Sequence, residues 1–105
     1  MINAALALPM EEIAAICRRY HVQELSLFGS ALRDDFRVDS DLDFLVVFEP
    51  GAKVGLFEFF ELQHDLQALL GREVDLVSKA GVERSENWIR RRAILSHYES
   101  IYVAG

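Results

Sequence analysis

Seven consecutive residues, Leu42–Phe48 (LDFLVVF), carry side chains that are almost all large and apolar. A β-strand projects successive side chains to opposite faces, so a strand that is apolar at nearly every position needs cover on both faces. The turn residues Glu49-Pro50-Gly51 end this run. The segment therefore predicts a strand inside a sheet with other structure packed against it.

The rest of the chain predicts helices and further short strands around that central strand. After Pro9, apolar residues at positions i, i+3, i+4 and i+7 indicate an amphipathic helix. The other predicted elements, in chain order, are a strand in the second half of Val22–Phe28, a short helix capped near Ser30, a long helix Leu56–Leu70 stopped by Gly71, a strand Glu73–Val77, a last helix capped by Ser85 and reaching about Leu95, and a small strand Ile101–Val103. This order indicates a single α/β sandwich.

The composition narrows the class of protein. The 105 residues, 51% hydrophobic and 27% charged, fit one globular domain spanning 1–105. A net charge of −6 disfavours tight, non-specific binding to a phosphate backbone, so we expect no direct nucleic-acid binding. The longest apolar run, Phe44–Phe48, is too short to cross a bilayer, and no signal-peptide pattern opens the chain. With a single cysteine, Cys17, the composition fits a cytoplasmic protein without a membrane partner.

Asp41 and Asp43 stand at the start of the predicted central strand. Residues i and i+2 of a strand share a face, so both carboxylates point together while Leu42 points into the core. Like charges this close repel, and the arrangement becomes favourable when divalent cations lie between them. A third carboxylate, Asp75, lies among apolar residues on another predicted strand. If the two strands pair, three carboxylates could hold two Mg²⁺ ions about 3.5–4 Å apart.

Gly29-Ser30 lies between a predicted strand and a helix start. Free backbone N–H groups at such a junction favour an anion, glycine allows a phosphate to approach closely, and the Ser30 hydroxyl can donate one more hydrogen bond. Taken singly, an Asp-x-Asp pair is often solvated surface and Gly-Ser is most often a plain turn. Taken together in this order, they favour a nucleoside triphosphate as the ligand.

The segment Leu27–Arg33 (LFGSALR), followed after an acidic loop by Ser40–Val46 (SDLDFLV), resembles the minimal nucleotidyltransferase domain of the DNA polymerase β-like superfamily. Asp75 stands where that family has a lone aspartate on a third strand, and the resemblance covers nearly the whole chain. It implies a small mixed β-sheet packed with helices on one side. It also implies transfer of a nucleoside monophosphate from a triphosphate to a hydroxyl, with release of pyrophosphate.

The resemblance implies two groups of functional residues. The metal-binding and catalytic residues are three aspartates: Asp41, Asp43 and Asp75. The nucleotide-binding residues are four: Gly29, Ser30, Arg33 and Ser40. By the same resemblance, Gly29 and Ser30 hold the β- and γ-phosphates, and Asp75 also helps to deprotonate the acceptor. For Arg33 we favour a salt bridge that braces the loop over a direct part in catalysis.

Stand-alone domains of this size in the superfamily look like antitoxins of prokaryotic two-gene modules. Their partner is a helical HEPN ribonuclease toxin, and the antitoxin uses ATP to adenylylate a tyrosine of that toxin. The resemblance thus implies two Mg²⁺ ions, ATP as substrate and a HEPN toxin as partner, with which a hetero-oligomer could form. Two alternatives stay open: an antitoxin that acts by binding alone, and nucleotidyl transfer to a small-molecule hydroxyl. The chain departs from some family members at Leu32-Arg33-Asp34, where Asp34 adds negative charge near the phosphates.

Two other features have more than one interpretation. Arg90-Arg91-Arg92 is either a solvated helix face, which we favour, or a contact to phosphates or a partner. Arg92 and His97 have the Arg-x4-His spacing of HEPN ribonucleases, which we regard as coincidence because that motif belongs in a helical bundle. Phe57 and Phe60 lie beside the apolar stripe of the long helix and are either core, which we favour, or a partner-facing patch.

Overall fold

The computed structural model describes residues 7–33, 36–37 and 39–104. Its elements are α1 (Met10–Arg19), β1 (Val22–Phe28), a 3₁₀ turn (Gly29–Leu32), β2 (Leu42–Phe48), α2 (Leu56–Leu70), β3 (Val74–Ser78), α3 (Lys79–Glu83), α4 (Trp88–Leu95) and β4 (Tyr98–Val103). Every element predicted from the sequence is present, and the short helix α3 is an addition. Within the described residues, no helix is both long enough and apolar enough to cross a membrane.

The four strands form one mixed sheet in the order β3-β2-β1-β4. Strand β1 is antiparallel to both β2 and β4, whereas β2 and β3 are parallel. This confirms the predicted fold class, a small mixed sheet packed with helices. Strand β2 is an interior strand, paired with β3 on one edge and β1 on the other. Both of its faces are also covered, since Phe44 is buried on one face and Leu45 on the other.

The two faces of the sheet are covered unequally. On one face, α1 and α2 pack over a large core that includes Leu27, Phe44 and Leu66. Phe28 and Leu45 alternate with Leu27 and Phe44 along their strands, so they project to the other face, where they meet side chains of α3 and α4. The longer helices thus lie on one side, as the resemblance implied, and the two short helices cover part of the other.

Local interactions fix the ends of the helices. Gly71, at φ 66°, ends α2 in the left-handed conformation, which confirms the predicted stop. Helix α4 is capped by Asn87, whose Oδ1 accepts the N–H of Arg90 at 3.1 Å. The prediction that Ser85 caps this helix was therefore wrong. Ser85 accepts the N–H of Asn87 at 3.1 Å instead, so it supports the turn that leads into the helix.

Helices α1 and α2 are joined by polar contacts at their solvent-facing side. The hydroxyl of Tyr20 donates to Asp65 at 2.6 Å, and Arg19 forms a salt bridge with the same carboxylate at 3.3 Å. Below these contacts, Cys17 is buried against the core, and burial raises the pKa of its thiol to about 12. The thiol is thus a structural group and is not reactive.

Two substitutions in α2 test which of its residues support the core. Leu66 is fully buried, so Leu66→Ala should lower the free energy of unfolding by about 2–5 kcal/mol through the cavity it leaves. Leu56, at the start of the same apolar stripe, is 73% exposed, so Leu56→Ala should change it by less than about 0.5 kcal/mol. Urea unfolding of both variants makes the comparison. Equal losses would show that the burial described for α2 is incorrect.

Candidate active site

The register of β2 against β3 brings two of the predicted aspartates together. Asp43 is paired with Asp75 in the parallel ladder, and side chains at paired positions project from the same face. The preceding pair, Leu42 and Val74, is buried on the opposite face. Asp41 is exposed and lies immediately before β2, two residues from Asp43. Asp43 and Asp75 therefore stand side by side where β2 and β3 begin, and Asp41 lies just outside β2.

The carboxyl group of Asp43 is the one on which these charges act most. Burial raises its pKa above the ordinary value of 3.8, and the negative charges of Asp75 and Asp41 raise that pKa further. The backbone N–H of Ser30 donates to this carboxylate and the positive charge of Arg33 attracts it, and both effects lower the pKa. The balance is upward, so the ionised form of Asp43 is held at a cost in folding free energy.

Gly29 allows the backbone to pass directly over the Asp43 carboxylate. Phe28 is paired with Asp43 in the antiparallel ladder, and at Gly29 the chain turns with φ at +72°. A Cβ atom at this position would collide with Oδ2 of Asp43. Glycine is thus required here for two independent reasons, the left-handed backbone and the close approach.

Ser30 contacts the acidic segment through both its backbone and its side chain. Its N–H donates to the Asp43 carboxylate, and its Oγ donates to the backbone carbonyl of Asp41 at 3.0 Å. The hydroxyl would have to rotate away from that carbonyl before it could donate to a phosphate. The predicted helix capped near Ser30 is a single 3₁₀ turn, Gly29–Leu32, without a side-chain cap.

Ser40 and Arg72 organise the loop that leads into Asp41. The Oγ of Ser40 accepts the N–H of Arg37 at 2.9 Å, and its carbonyl accepts Nη1 of Arg72 at 3.4 Å. The guanidinium of Arg72 also lies over the ring of Phe36, 5.1 Å from its centroid. Reasoning from the sequence missed Arg72, for which the only signal was a basic residue three positions before Asp75.

The donor set fits Mg²⁺ in its chemistry. Across residues 7–33, 36–37 and 39–104, no three His, Cys, Asp or Glu side chains come together as a group that could hold a metal. A closed group is not needed, because Mg²⁺ takes oxygen ligands and is usually held by one or two carboxylates together with waters and substrate phosphates. Burial is the largest cause of the raised pKa of Asp43, and the repulsion from Asp75 and Asp41 that adds to it is what such a cation would relieve. The residues therefore fit Mg²⁺ that is completed by a nucleotide.

The structure also places the other residues considered from the sequence. Phe57 and Phe60 are 70% and 55% exposed, so the interpretation of these rings as core was wrong. In the basic run, Arg90 and Arg92 are exposed, while Arg91 donates to the carbonyl of Ser85 at 2.8 Å. Asp34, whose charge was expected near the phosphates, lies outside the described residues.

The raised pKa of Asp43 predicts a gain in stability when its charge is removed. A group whose pKa is higher in the folded state stabilises the fold most below its ordinary pKa, here 3.8, and that contribution is lost as pH rises through the raised value. Asp43→Asn should therefore melt at a higher temperature than the wild type at pH 7.5 without divalent metal. The difference should shrink as pH falls toward 4. Thermal melts across this pH range measure both effects.

Glu86→Gln serves as the control for this experiment, because it removes one negative charge from an exposed position in the turn before α4. It should show no such gain at pH 7.5. A lower melting temperature for Asp43→Asn than for the wild type at pH 7.5 would contradict the repulsion described for this site.

Comparison with known proteins places the chain in a family. The model of the nucleotidyltransferase domain family matches residues 10–101. Over 84 residues the chain is 40% identical to the protein adenylyltransferase MntA of Thermococcus cleftensis, an alignment that covers 72% of this chain and 83% of that protein.

Solved structures with a similar fold agree with this placement. A chain of a toxin–antitoxin crystal structure with AMP-PNP has a TM-score of 0.69 and 22% identity, with 92% of this chain and 75% of that chain covered. A chain from the complex of a tri-AMPylated Shewanella oneidensis HEPN toxin with its MNT antitoxin has a TM-score of 0.59 and 21% identity, covering 90% and 70%. These likenesses show the fold. With the family match over residues 10–101 and the 40% identical relative, they lead to one conclusion: this chain belongs to the nucleotidyltransferase domain family.

Proposed function

We propose that this protein is a Mg²⁺-dependent nucleotidyltransferase that moves AMP from ATP to a tyrosine of a cognate HEPN ribonuclease toxin and thereby acts as its antitoxin. The observation that carries this proposal is the pairing of Asp43 with Asp75, with the backbone of Gly29 passing over the Asp43 carboxylate. The relative named a protein adenylyltransferase and the fold shared with a complex of an AMPylated HEPN toxin support it. We take the chain to work in the cytoplasm as one domain, 1–105, in a hetero-oligomer with the toxin.

In this proposal Asp41, Asp43 and Asp75 hold Mg²⁺. When bound, Mg²⁺ supplies positive charge that stabilises the transferring phosphate and the leaving group. The acceptor oxygen forms a bond to the α-phosphorus of ATP, the bond from that phosphorus to the oxygen bridging to the β-phosphate breaks, and pyrophosphate leaves. Asp75, which is exposed, takes the proton of the acceptor hydroxyl. Asp43 acts in its ionised form.

The turn after β1 forms the other half of the proposed site. By the family resemblance, Gly29 and Ser30 hold the β- and γ-phosphates at the start of the 3₁₀ turn, where backbone N–H groups favour an anion. Arg33 braces the turn through its charge, which already acts on Asp43. Ser40 sets the loop from which Asp41 enters β2. The net charge of −6 favours a protein hydroxyl over a polynucleotide as acceptor.

The double variant Asp41→Asn/Asp43→Asn should abolish transfer while leaving the fold intact. Incubation of the wild type with ATP, Mg²⁺ and the purified toxin should add the mass of AMP to the toxin, on a tyrosine identified by fragmentation. Because the double variant loses two ligand carboxylates, labelling should fall by at least about 100-fold. Intact-protein mass spectrometry measures it, and a thermal melt confirms folding.

The same variant separates catalysis from binding alone. Labelling of the toxin at the wild-type rate would show that these carboxylates are not catalytic. If the double variant does not label the toxin but still protects cells from it fully, the result would instead favour an antitoxin that acts only by binding.

Gly29→Ala and Gly71→Ala form a matched pair that tests the close approach to Asp43. Both glycines have positive φ, so each alanine should cost about 1–2 kcal/mol of folding free energy through backbone strain. Only at residue 29 does the new Cβ meet Asp43, whereas nothing lies within 4 Å at residue 71. Melts should therefore show a loss for both variants, larger at residue 29 because of the added contact with Asp43, and only Gly29→Ala should lose AMP transfer. Equal activity of the two variants would refute a role for this contact.

A further inference from the structure

Arg72 connects the two segments of chain that carry the acidic residues. It lies two residues before β3, and its Nη1 donates to the carbonyl of Ser40 in the loop that leads into β2. Its guanidinium also lies over the ring of Phe36. That ring is only 9% exposed and belongs to the main core, so it forms a fixed platform. Any movement of this loop relative to β3 must therefore break contacts made by Arg72.

The backbone around Asp41 is anchored on both sides. The carbonyl that precedes Asp41 accepts from Arg72, and the carbonyl of Asp41 itself accepts from Ser30 Oγ at 3.0 Å. The next N–H, that of Leu42, donates to the carbonyl of Glu73 at 3.0 Å. The Asp41 side chain is exposed, so packing does not hold it. The location of the Asp41 side chain therefore depends on these backbone hydrogen bonds. Two of them come from the segment that leads into β3, and the one made by Arg72 is the one made by a side chain.

We propose that Arg72 is a positioning residue for the Mg²⁺–nucleotide site, because it fixes the loop that carries Asp41 against the strand that carries Asp75. The inference rests on the function proposed above. A guanidinium suits this task since its plane can lie on an aromatic ring while its N–H groups donate in that plane. A lysine could supply the charge and a donor, but it has no plane to stack on Phe36.

The first test measures metal binding. Electron paramagnetic resonance of Mn²⁺, used as a probe for Mg²⁺, measures binding to the full chain in the presence of ATP, with Mn²⁺ and ATP without protein as the reference because ATP itself chelates Mn²⁺. Arg72→Met, which keeps an unbranched side chain but loses charge and donors, should weaken Mn²⁺ binding about 10-fold, as expected for a group that orients a ligand. Arg72→Lys should recover only part of that loss.

The matched control is Arg84→Met, which removes the same charge from an exposed position at the end of α3. It should bind Mn²⁺ like the wild type.

The second test asks whether the effect is local. In metal-free protein, amide hydrogen exchange of Leu42 and Ser40 should be faster in Arg72→Met than in the wild type, while exchange at the core residue Leu25 should be unchanged. A uniform acceleration of all amides would mean that Arg72 only stabilises the fold, and would overturn the proposal. This readout does not depend on catalysis or on metal.

The outcomes separate this inference from the function on which it rests. If the wild type binds Mn²⁺ and labels the toxin while Arg72→Met binds Mn²⁺ equally well, only the role of Arg72 is refuted. Full recovery in Arg72→Lys would show that a charge and a donor suffice without the stacked plane, which also overturns positioning through the ring. If the wild type binds no Mn²⁺ with ATP, both proposals fail. Should Arg72→Met not fold, the difference between Arg72→Lys and the wild type in both tests decides.

Discussion

Burial of Leu42 and Val74 in the core forces Asp43 and Asp75 to stand side by side on the opposite face of the same two strands. Electrostatic repulsion alone would separate these carboxylates, and the pKa of Asp43 is raised first by burial and then by that repulsion. The register persists because a slip by one residue would move Leu42 and Val74 out of the main core and turn the carboxylates into it. Packing of the core and assembly of the acidic site therefore depend on one and the same strand alignment.

The parts of the site that follow from local spacing could be predicted from the sequence. The alternation of a strand places Asp43 on the face opposite the buried Leu42, as the spacing predicts, but β2 begins at Leu42, so this rule does not reach Asp41. The pairing of Asp43 with Asp75 needed one further assumption, that β2 and β3 are neighbours, and the structure bears that assumption out. By contrast, the passage of Gly29 over Asp43 and the reach of Arg72 to Ser40 join residues far apart in the chain. No spacing rule encodes such contacts.

The errors in the prediction have physical causes as well. The periodicity of α2 identifies which side chains share a face, but it does not say where the surface beneath that face ends. Leu62 and Leu66 reach the sheet and are buried, whereas Phe57 and Phe60 near the start of the helix remain exposed. The prediction of the α4 cap failed for a related reason. Both Ser85 and Asn87 are suitable capping residues in the short turn before the helix, and Asn87 is the one that accepts an N–H of its first turn.

The complete burial of Cys17 has a practical consequence for labelling experiments on this protein. A thiol with a pKa of about 12 and no exposed surface offers almost no thiolate to a maleimide at neutral pH. The unaltered chain can therefore serve as its own unlabelled background. A new cysteine at an exposed position, such as that of Phe57, would take up a fluorophore or spin label selectively.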